Sequence, residues 1–410
     1  MKETEFMSFS ARQSNGIVVE FNGTKVVFDS TRKTGFPLLV THAHGDHCKG
    51  LRSKETYCTH PTLELAGVKK AENHYLVEFN RPFEVVNAEV TAYNSGHILG
   101  SAQYKVTTDS ESLVYTGDLN FRDTLITKRA ETVPCDVLIM ESTYGTPCYF
   151  PSREYMYERI VDWTTFSTKR GRIPAFQTDA LGNAQELIAL LNLETELPVI
   201  THPRVSKYNE VYRRFGYDLH SFDEKSDEAL DISRRGNYVL IAPKNVDLRT
   251  DVQAKKLDLA FVSGWGSRFS GRRKAFCLSD HSDFYRLLDF VEEVAPRKVL
   301  TCHGSHRSKG MLAKKIESAL HIKSMPLKRE PSSSAVRKHV DLARLETCVE
   351  EIMANVKPGF IYPKGWLVSA TCNGLRRFTK GEVETGLSAS VKQGRLRYLH
   401  ETDSFELKLP

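Results

Sequence analysis

No CxxC pair occurs among the eight cysteines (Cys48, Cys58, Cys135, Cys148, Cys277, Cys302, Cys348 and Cys372), most of which sit in apolar or mixed segments. That spacing argues against a zinc ribbon and against the disulfide framework of a secreted domain, so reduced thiols are expected. No run of eighteen apolar residues occurs, and no membrane-spanning helix is expected. The opening "MKETEFMSFSARQ" is charged and lacks a seven-residue apolar stretch, so neither secretion nor membrane insertion is expected and cytoplasmic residence is the default. Internal repeats and low-complexity tracts are also missing. A net charge of +6, from 57 Lys+Arg against 51 Asp+Glu, is too mild to name a polyanionic partner by itself. What remains is an ordinary globular composition in 410 residues, more than one core serves, so two or three units are expected.

The chain changes rhythm along its length. From residue 16 to about 120, short β-rich runs such as "GIVVEFNG", "KVVFDS" and "SLVYTGD" alternate with polar turns, and "CDVLIME" at 135–141 reads as a fully apolar strand. After "STYGTPCYFPSR" strands alternate with helices ("RIPAFQT" then "GNAQELIALLN", "LPVITHP" then "VSKYNEVYRRFG"), the pattern of a parallel sheet. Three further strands, "LDLAFVSG", "AFCLSD" and "KVLTCHG", accompany the helices "FYRLLDFVEEV" and "GMLAKKIESAL". The polar "KREPSSSAVRKH" reads as a linker. Beyond it, two helical stretches and the strand pair "RLRYL" and "SFELKL" suggest either a small winged-helix-like module or a helical appendage serving stability or dimerisation.

Three of the fourteen histidines fall within six residues of "VTHAHGDHCKGL", directly after an apolar run. On an extended chain His42 and His44 point the same way, and Asp46 and His47 follow in the loop. Imidazole and carboxylate are ligands that zinc accepts, and one loop cannot complete two coordination spheres, so further donors are expected at later strand ends. His97 in "YNSGHILGSA" and Asp118 in "LVYTGDLN" occupy such positions. Taken singly, each reads equally well as a loop or turn residue.

Together these segments resemble the metallo-β-lactamase fold: HxHxDH at 42–47, His97, Asp118, and Asp29 in "VVFDS" at the place of an aspartate that steadies the metal loop. "MESTYG", "LSDHSDF" and "VLTCHG" resemble the three additional motifs of the β-CASP nucleases, with Glu141, His281 and His303 in the three positions. The closest resemblance is to ligase-associated DNA exonucleases and to archaeal nucleases of the messenger-RNA 3′-end processing group. Two departures stand out. Asp179 lies in a segment that is more apolar in the polyadenylation endonuclease branch, and His303 separates the chain from the Artemis-like branch, where that position is apolar.

The resemblance, over about residues 15–325, implies an α/β protein: an αββα metallo-β-lactamase sandwich at 1–149 and 256–325 and a β-CASP α/β cap inserted at 150–255; the tail's own elements place the winged-helix-like module at 338–410. The resemblance also implies two zinc ions, with manganese as the alternative: one held by His42, His44 and His97, the other by Asp46, His47 and His303, and Asp118 bridging. Two such ions can make a shared water acidic enough to attack phosphorus, with Asp46 and Asp118 among the catalytic residues. His281 is the candidate general acid, oriented by Glu141, a carboxylate that would be costly unpaired at the end of an apolar strand. The alternative for His281 is a helix-terminal histidine bonded to backbone.

Nucleic acid is the expected partner, with a helicase or ligase as a further partner implied by the resemblance and a homodimer as a candidate assembly. Arg268, Arg272, Arg273, Lys274 and Arg307 are candidate phosphate contacts or simply a solvated charged face. Asn183, opening a helix, is a candidate for offering backbone N–H groups to phosphate. In the tail, Arg376, Arg377, Lys380, Lys392, Arg395 and Arg397 fit nucleic-acid binding, although acidic neighbours blunt that reading. The function expected is a two-zinc nuclease, foremost a DNA exonuclease in repair or processing, with an RNA endo- or exonuclease as the alternative. A thioester or lactone hydrolase and a non-catalytic scaffold are the remaining readings.

Overall fold

The computed structural model describes residues 9–248, 256–266, 274–330, 342–354, 356–357, 361–363, 380–392, 395–399 and 404–407. Two compact units emerge, Met1–Glu330 and Pro331–Pro410. Among the described residues no helix is long and apolar enough to cross a membrane.

The larger unit contains three sheets. The first joins β1 (Ser10–Gln13), β2 (Ile17–Phe21), β3 (Thr24–Phe28), β4 (Leu38–Leu39), β5 (Thr56–Thr59) and β6 (His74–Val77) in sequence order, antiparallel up to β3 and parallel beyond it. Helix α1 (His60–Leu65) follows β5. The second sheet contains β7 (Pro82–Val85), β8 (Ala88–Asn94), β9 (Ala102–Thr107), β10 (Ser112–Tyr115), β11 (Val137–Glu141), β18 (Lys298–Cys302) and β19 (Lys323–Pro326), ordered β19-β18-β11-β10-β9-β8-β7.

Strand alternation explains why these two sheets pack as they do. Leu113, Tyr115, Val137 and Ile139 point inward and join Val19, Phe28 and Leu39 of the first sheet in one core. Val114, Leu138 and Met140 point to the opposite face, where α6 (Phe284–Val294) and α7 (His306–Leu320) cover them with Leu287, Phe290 and Leu312. Outside the first sheet, Val27, Leu38 and Cys58 pack under Leu63 of α1. Helix, sheet, sheet and helix thus stack in four layers.

The third sheet is wholly parallel, in the order β14-β13-β15-β12-β16-β17. Its strands are β12 (Ile173–Thr178), β13 (Val199–Thr201), β14 (Phe222–Asp223), β15 (Val239–Pro243), β16 (Leu257–Val262) and β17 (Lys274–Phe276), with α2 (Arg153–Lys169), α3 (Asn183–Glu194), α4 (Pro203–Arg214) and α5 (Asp227–Arg235) between or before them. Parallel strands buried on both faces carry continuous apolar runs, as in "VLIAP" of β15.

One expected boundary is corrected. Residues from 256 were assigned to the return segment of the sandwich, but β16 and β17 extend the third sheet: Ala175 pairs with Leu259, and Phe261 with Ala275. The change of rhythm on which the boundary rested shows where the inserted helices begin, not which sheet a strand completes.

The smaller unit packs α8 (Leu342–Ala354) and α9 (Lys380–Lys392) on an antiparallel sheet of β20 (Ile361–Pro363), β22 (Ser404–Leu407) and β21 (Leu396–Leu399), around Ile352, Val383, Leu387 and Phe405. The expected strand pair of the tail is present, with Tyr398 opposite Phe405. Arg395 is ion-paired to Glu350 at 2.7 Å. Arg376 and Arg377 and most of the expected linker lie outside the described residues, as do the side chains of Lys380 and Lys392.

A buried ion pair ties the inserted helices together. Arg153 of α2 bonds Glu186 of α3, donates to the Ser279 carbonyl at 2.6 Å, and shares Glu186 with Tyr157. Truncating one partner strands the other charge in the core. Arg153→Ala is therefore expected to cost about 3–5 kcal/mol, and Tyr157→Phe about 1 kcal/mol, both read from urea denaturation midpoints.

Candidate metal centre

The histidine loop leaves the first sheet directly after β4. Asp29, at the end of β3, receives the Thr41 amide on Oδ1 at 2.8 Å, which fixes where the loop departs. His42 and His47 are buried, whereas the Asp46 side chain is 79% exposed at the rim, its Oδ2 3.7 Å from His47 Nε2. His97 arrives from the turn after β8, Asp118 from the end of β10, Glu141 from the last position of β11 and His303 from just past β18. Gly117 makes the approach of Asp118 feasible: its φ is +57°, and a Cβ there would lie 2.6–2.8 Å from the Thr41 side chain.

Hydrogen bonds determine which ring nitrogens carry lone pairs. His97 Nδ1 lies 2.8 Å from the Asp280 carbonyl oxygen, which only accepts, so Nδ1 is the protonated nitrogen and Nε2 is bare. His44 Nε2 faces the Leu181 carbonyl at 3.3 Å, which leaves Nδ1 bare by the same argument. These two bare nitrogens stand 3.0 Å apart. His42 Nε2 is buried with no hydrogen-bond partner and lies 3.4 Å from Asp118 Oδ2. Neutral lone pairs and a carboxylate converging in this way repel unless a cation joins them. Donors held tetrahedrally at roughly 2.0–2.1 Å from one zinc stand about 3.3–3.4 Å apart, close to the spacings observed. The donor set therefore fits a divalent ion.

Asp118 faces both sides of the cluster. Oδ2 lies 3.7 Å from His97 Nε2 and 3.8 Å from His281 Nε2, while Oδ1 lies 3.5 Å from His47 Nε2. Burial opposes its charge, but His47 and His281 hold its carboxyl well below the usual range. Burial, reinforced by neighbouring imidazoles, lowers His42, His303 and His97, the last to about 3, so all three are neutral and able to ligate near pH 7. His47 differs. Burial disfavours its charge, yet Asp118 and Asp29 push it up to about 10.

Among the described residues, four groupings bring potential ligand atoms within 4.8 Å of one another, including His42/His44/His97/Asp118 and Asp29/His47/His303. His281 sits beside them. Its Nδ1 is 2.9 Å from Glu141 Oε1, and Glu141 also accepts from the Leu119 amide at 2.6 Å and the Thr143 amide at 3.2 Å. Burial would lower His281, but Glu141 and Asp118 raise it well above its ordinary value.

No protein-family model matches the chain. Among curated proteins, a 277-residue stretch is 31% identical to a probable DNA ligase of Opitutus terrae, covering 65% of this chain and 26% of that protein. A 180-residue stretch is 30% identical to an RNase J-like protein of Methanocaldococcus jannaschii, 38% of this chain and 43% of that one. Integrator complex subunit 11 of Gallus gallus is 24% identical over 373 residues, 70% of this chain and 62% of that protein. These relatives fit the resemblance to the β-CASP nucleases of the metallo-β-lactamase fold. The chain spans less than two thirds of the length of each of them.

Residues at the ends of the third sheet's strands face the centre. A cavity of about 530 Å³ is lined on one side by His44, Asp46, His47, Asp118, His281 and His303, and on the other by residues following the parallel strands: Asp179 after β12, Lys244 after β15, and Ser263 to Trp265 after β16. Carboxyl ends of parallel strands where crossovers diverge are where open α/β sheets leave room for ligands.

The expected substrate contacts fare unevenly. Asn183 lines the cavity, and two donors beside it are engaged: Gly182 N–H bonds Gln185 Oε1 at 2.7 Å, and Asn183 Nδ2 bonds Asp179. Lys274 stands over the Phe276 ring, and Arg307 lies in the first turn of α7; neither lines this cavity. Arg268, Arg272 and Arg273 lie outside the described residues. Thr41, Tyr115, Tyr144, Lys244, Trp265 and Asp280 were not singled out by sequence reasoning. Thr41 and Asp280 carried a signal in their adjacency to His42 and His281, and Tyr115 and Tyr144 in their place within the motif segments of Asp118 and Glu141.

Chelator-stripped protein should gain stability on adding zinc, by about 2.7 kcal/mol at a hundredfold excess over Kd, seen as a rise in thermal midpoint. His42→Ala and Asp118→Asn are expected to abolish most of that rise.

Proposed function

We propose that the protein is a metal-dependent nuclease that hydrolyses phosphodiester bonds, with two zinc ions held at this centre. The observation that carries the reading is the convergence of bare imidazole nitrogens and Asp118 beside a Glu141–His281 pair, under a cap with room for a nucleotide. His42, His44 and His97 would hold one ion, and His47 and His303 the other, with Asp46 at the rim and Asp118 between the two. Divalent ions there would supply Lewis-acid charge against phosphoryl oxygens and acidify an attacking water.

The chain's own residues do the rest. Glu141, anchored by two backbone amides, orients His281 and holds a proton on it near neutral pH. His281 Nε2 then faces the space beside Asp118, positioned to protonate the departing oxygen. Asp29 holds His47 and the loop without facing the substrate.

We favour a DNA exonuclease in repair or processing, supported by the 65% of this chain that resembles a probable DNA ligase. The names of an RNase J-like protein and of the endoribonuclease YSH1 of Yarrowia lipolytica favour the second reading, a ribonuclease. A winged-helix-like tail that helps hold nucleic acid, a helicase or ligase partner, a homodimer and cytoplasmic residence complete the proposal.

The test is digestion of matched, end-labelled single- and double-stranded DNA and RNA. DNA shortened from an end is the expected result, and internal cleavage of RNA alone would select the second reading. His281→Ala is expected to lower turnover by about 10²–10⁴ while bound zinc stays at the wild-type level. Full activity in that variant would remove His281 from the mechanism.

A further inference from the structure

Asp29 collects four donors on two oxygens. Oδ1 accepts from Thr41 N, and Oδ2 accepts from Thr41 Oγ1 at 2.7 Å, from His47 Nδ1 at 2.8 Å and from the Tyr115 hydroxyl at 2.8 Å. An ionised carboxylate only accepts, so each partner at Oδ2 must bring a proton. For His47 this puts the proton on Nδ1 and turns Nε2 toward Asp118 Oδ1.

The two hydroxyls carry the constraint further. Thr41 has one proton, committed to Asp29, so its oxygen can only accept from His42 Nδ1, 2.9 Å away. His42 is then bare at Nε2, the buried atom without a partner. Tyr115 behaves alike: its proton goes to Asp29, and its oxygen accepts from His303 Nε2 at 2.8 Å. His303 is thereby left bare at Nδ1, the opposite nitrogen. The left-handed backbone of Asp29 (φ 51°) and of His303 (φ 51°) holds both ends of this network in unusual conformations for non-glycine residues.

We infer that Asp29, acting through the Thr41 and Tyr115 hydroxyls, sets the tautomers of three histidines, so that His42 and His47 present Nε2 to a cation and His303 presents Nδ1. Thr41 and Tyr115 are thus positioning residues, although neither faces the cavity as a ligand. The inference rests on the metal-centre reading above. It explains why a buried tyrosine hydroxyl lies between a carboxylate and an imidazole rather than being replaced by phenylalanine in an otherwise apolar core position.

The test uses the full chain with zinc. In protein labelled with ¹⁵N-histidine and loaded with zinc, long-range ¹H–¹⁵N spectra, assigned with His303→Gln, should show His42 and His47 protonated at Nδ1 and His303 at Nε2. Tyr115→Phe and Thr41→Val should each weaken zinc binding by about 10–100-fold, measured by chelator competition, with wild-type circular dichroism. Thr41→Ser, which restores the hydroxyl, should recover the affinity. His303 protonated at Nδ1, or unchanged affinity in both Tyr115→Phe and Thr41→Val, would overturn the relay and leave the metal centre standing. A wild-type chain that takes up no zinc would overturn the metal-centre reading and the relay with it.

Discussion

Two imidazole lone pairs held 3.0 Å apart repel each other, and the surrounding fold is organised to hold them there. Neither ring is free to turn away. His97 is anchored through its other nitrogen to the Asp280 carbonyl and His44 to that of Leu181, so each bare nitrogen is aimed by a backbone acceptor from a distant segment. The opposition is tolerable only where positive charge can be accommodated, and the adjoining carboxylate of Asp118 reinforces that demand. A site built in this way is unfavourable when empty and correspondingly selective for a cation, a trade of stability for chemistry that buried polar clusters make elsewhere.

Rigid strand ends make the arrangement possible. The loop after β4, Asp118 after β10, Glu141 at the end of β11 and His303 after β18 all emerge from sheets whose interiors are closely packed, so little loop entropy is spent in bringing them together. The opposite wall comes from the third sheet with its own helices, again at the carboxyl ends of parallel strands. The chemistry-bearing groups lie on the sandwich side, while the third-sheet side contributes a Lys244–Asp179 ion pair and Trp265, whose ring packs against Tyr144 of the sandwich side.

Much of the fold was legible because its signals are local. The apolar runs of β11, β12 and β18, the helices α3, α4, α6 and α7, and the terminal hairpin all follow from periodicity and turn residues. Short or half-exposed strands were harder: β5 and β6 carry ordinary mixed sequences, and β14 is two residues long. Membership of β16 in the third sheet was missed because its partner β12 lies more than eighty residues away and leaves no mark in either segment, and β17 joins that sheet only through β16. For the site, the histidine motif and the later strand-end residues were readable by type and position. The polar contacts that orient them were not, since Thr41, Tyr115 and Asp280 are unremarkable residues in a string.

By itself the sequence determined which residue types stand at the ends of apolar strands, and therefore which side chains are available for chemistry. Tertiary structure alone decided which nitrogen of each histidine is bare, that Asp118 faces both halves of the cluster, and that Asp46 lies at the rim while Asp29 lies at the hub. The reason is physical. Strand periodicity is a property of neighbouring residues, whereas a tautomer depends on the donor or acceptor opposite a ring nitrogen, and here those partners come from up to 188 positions away.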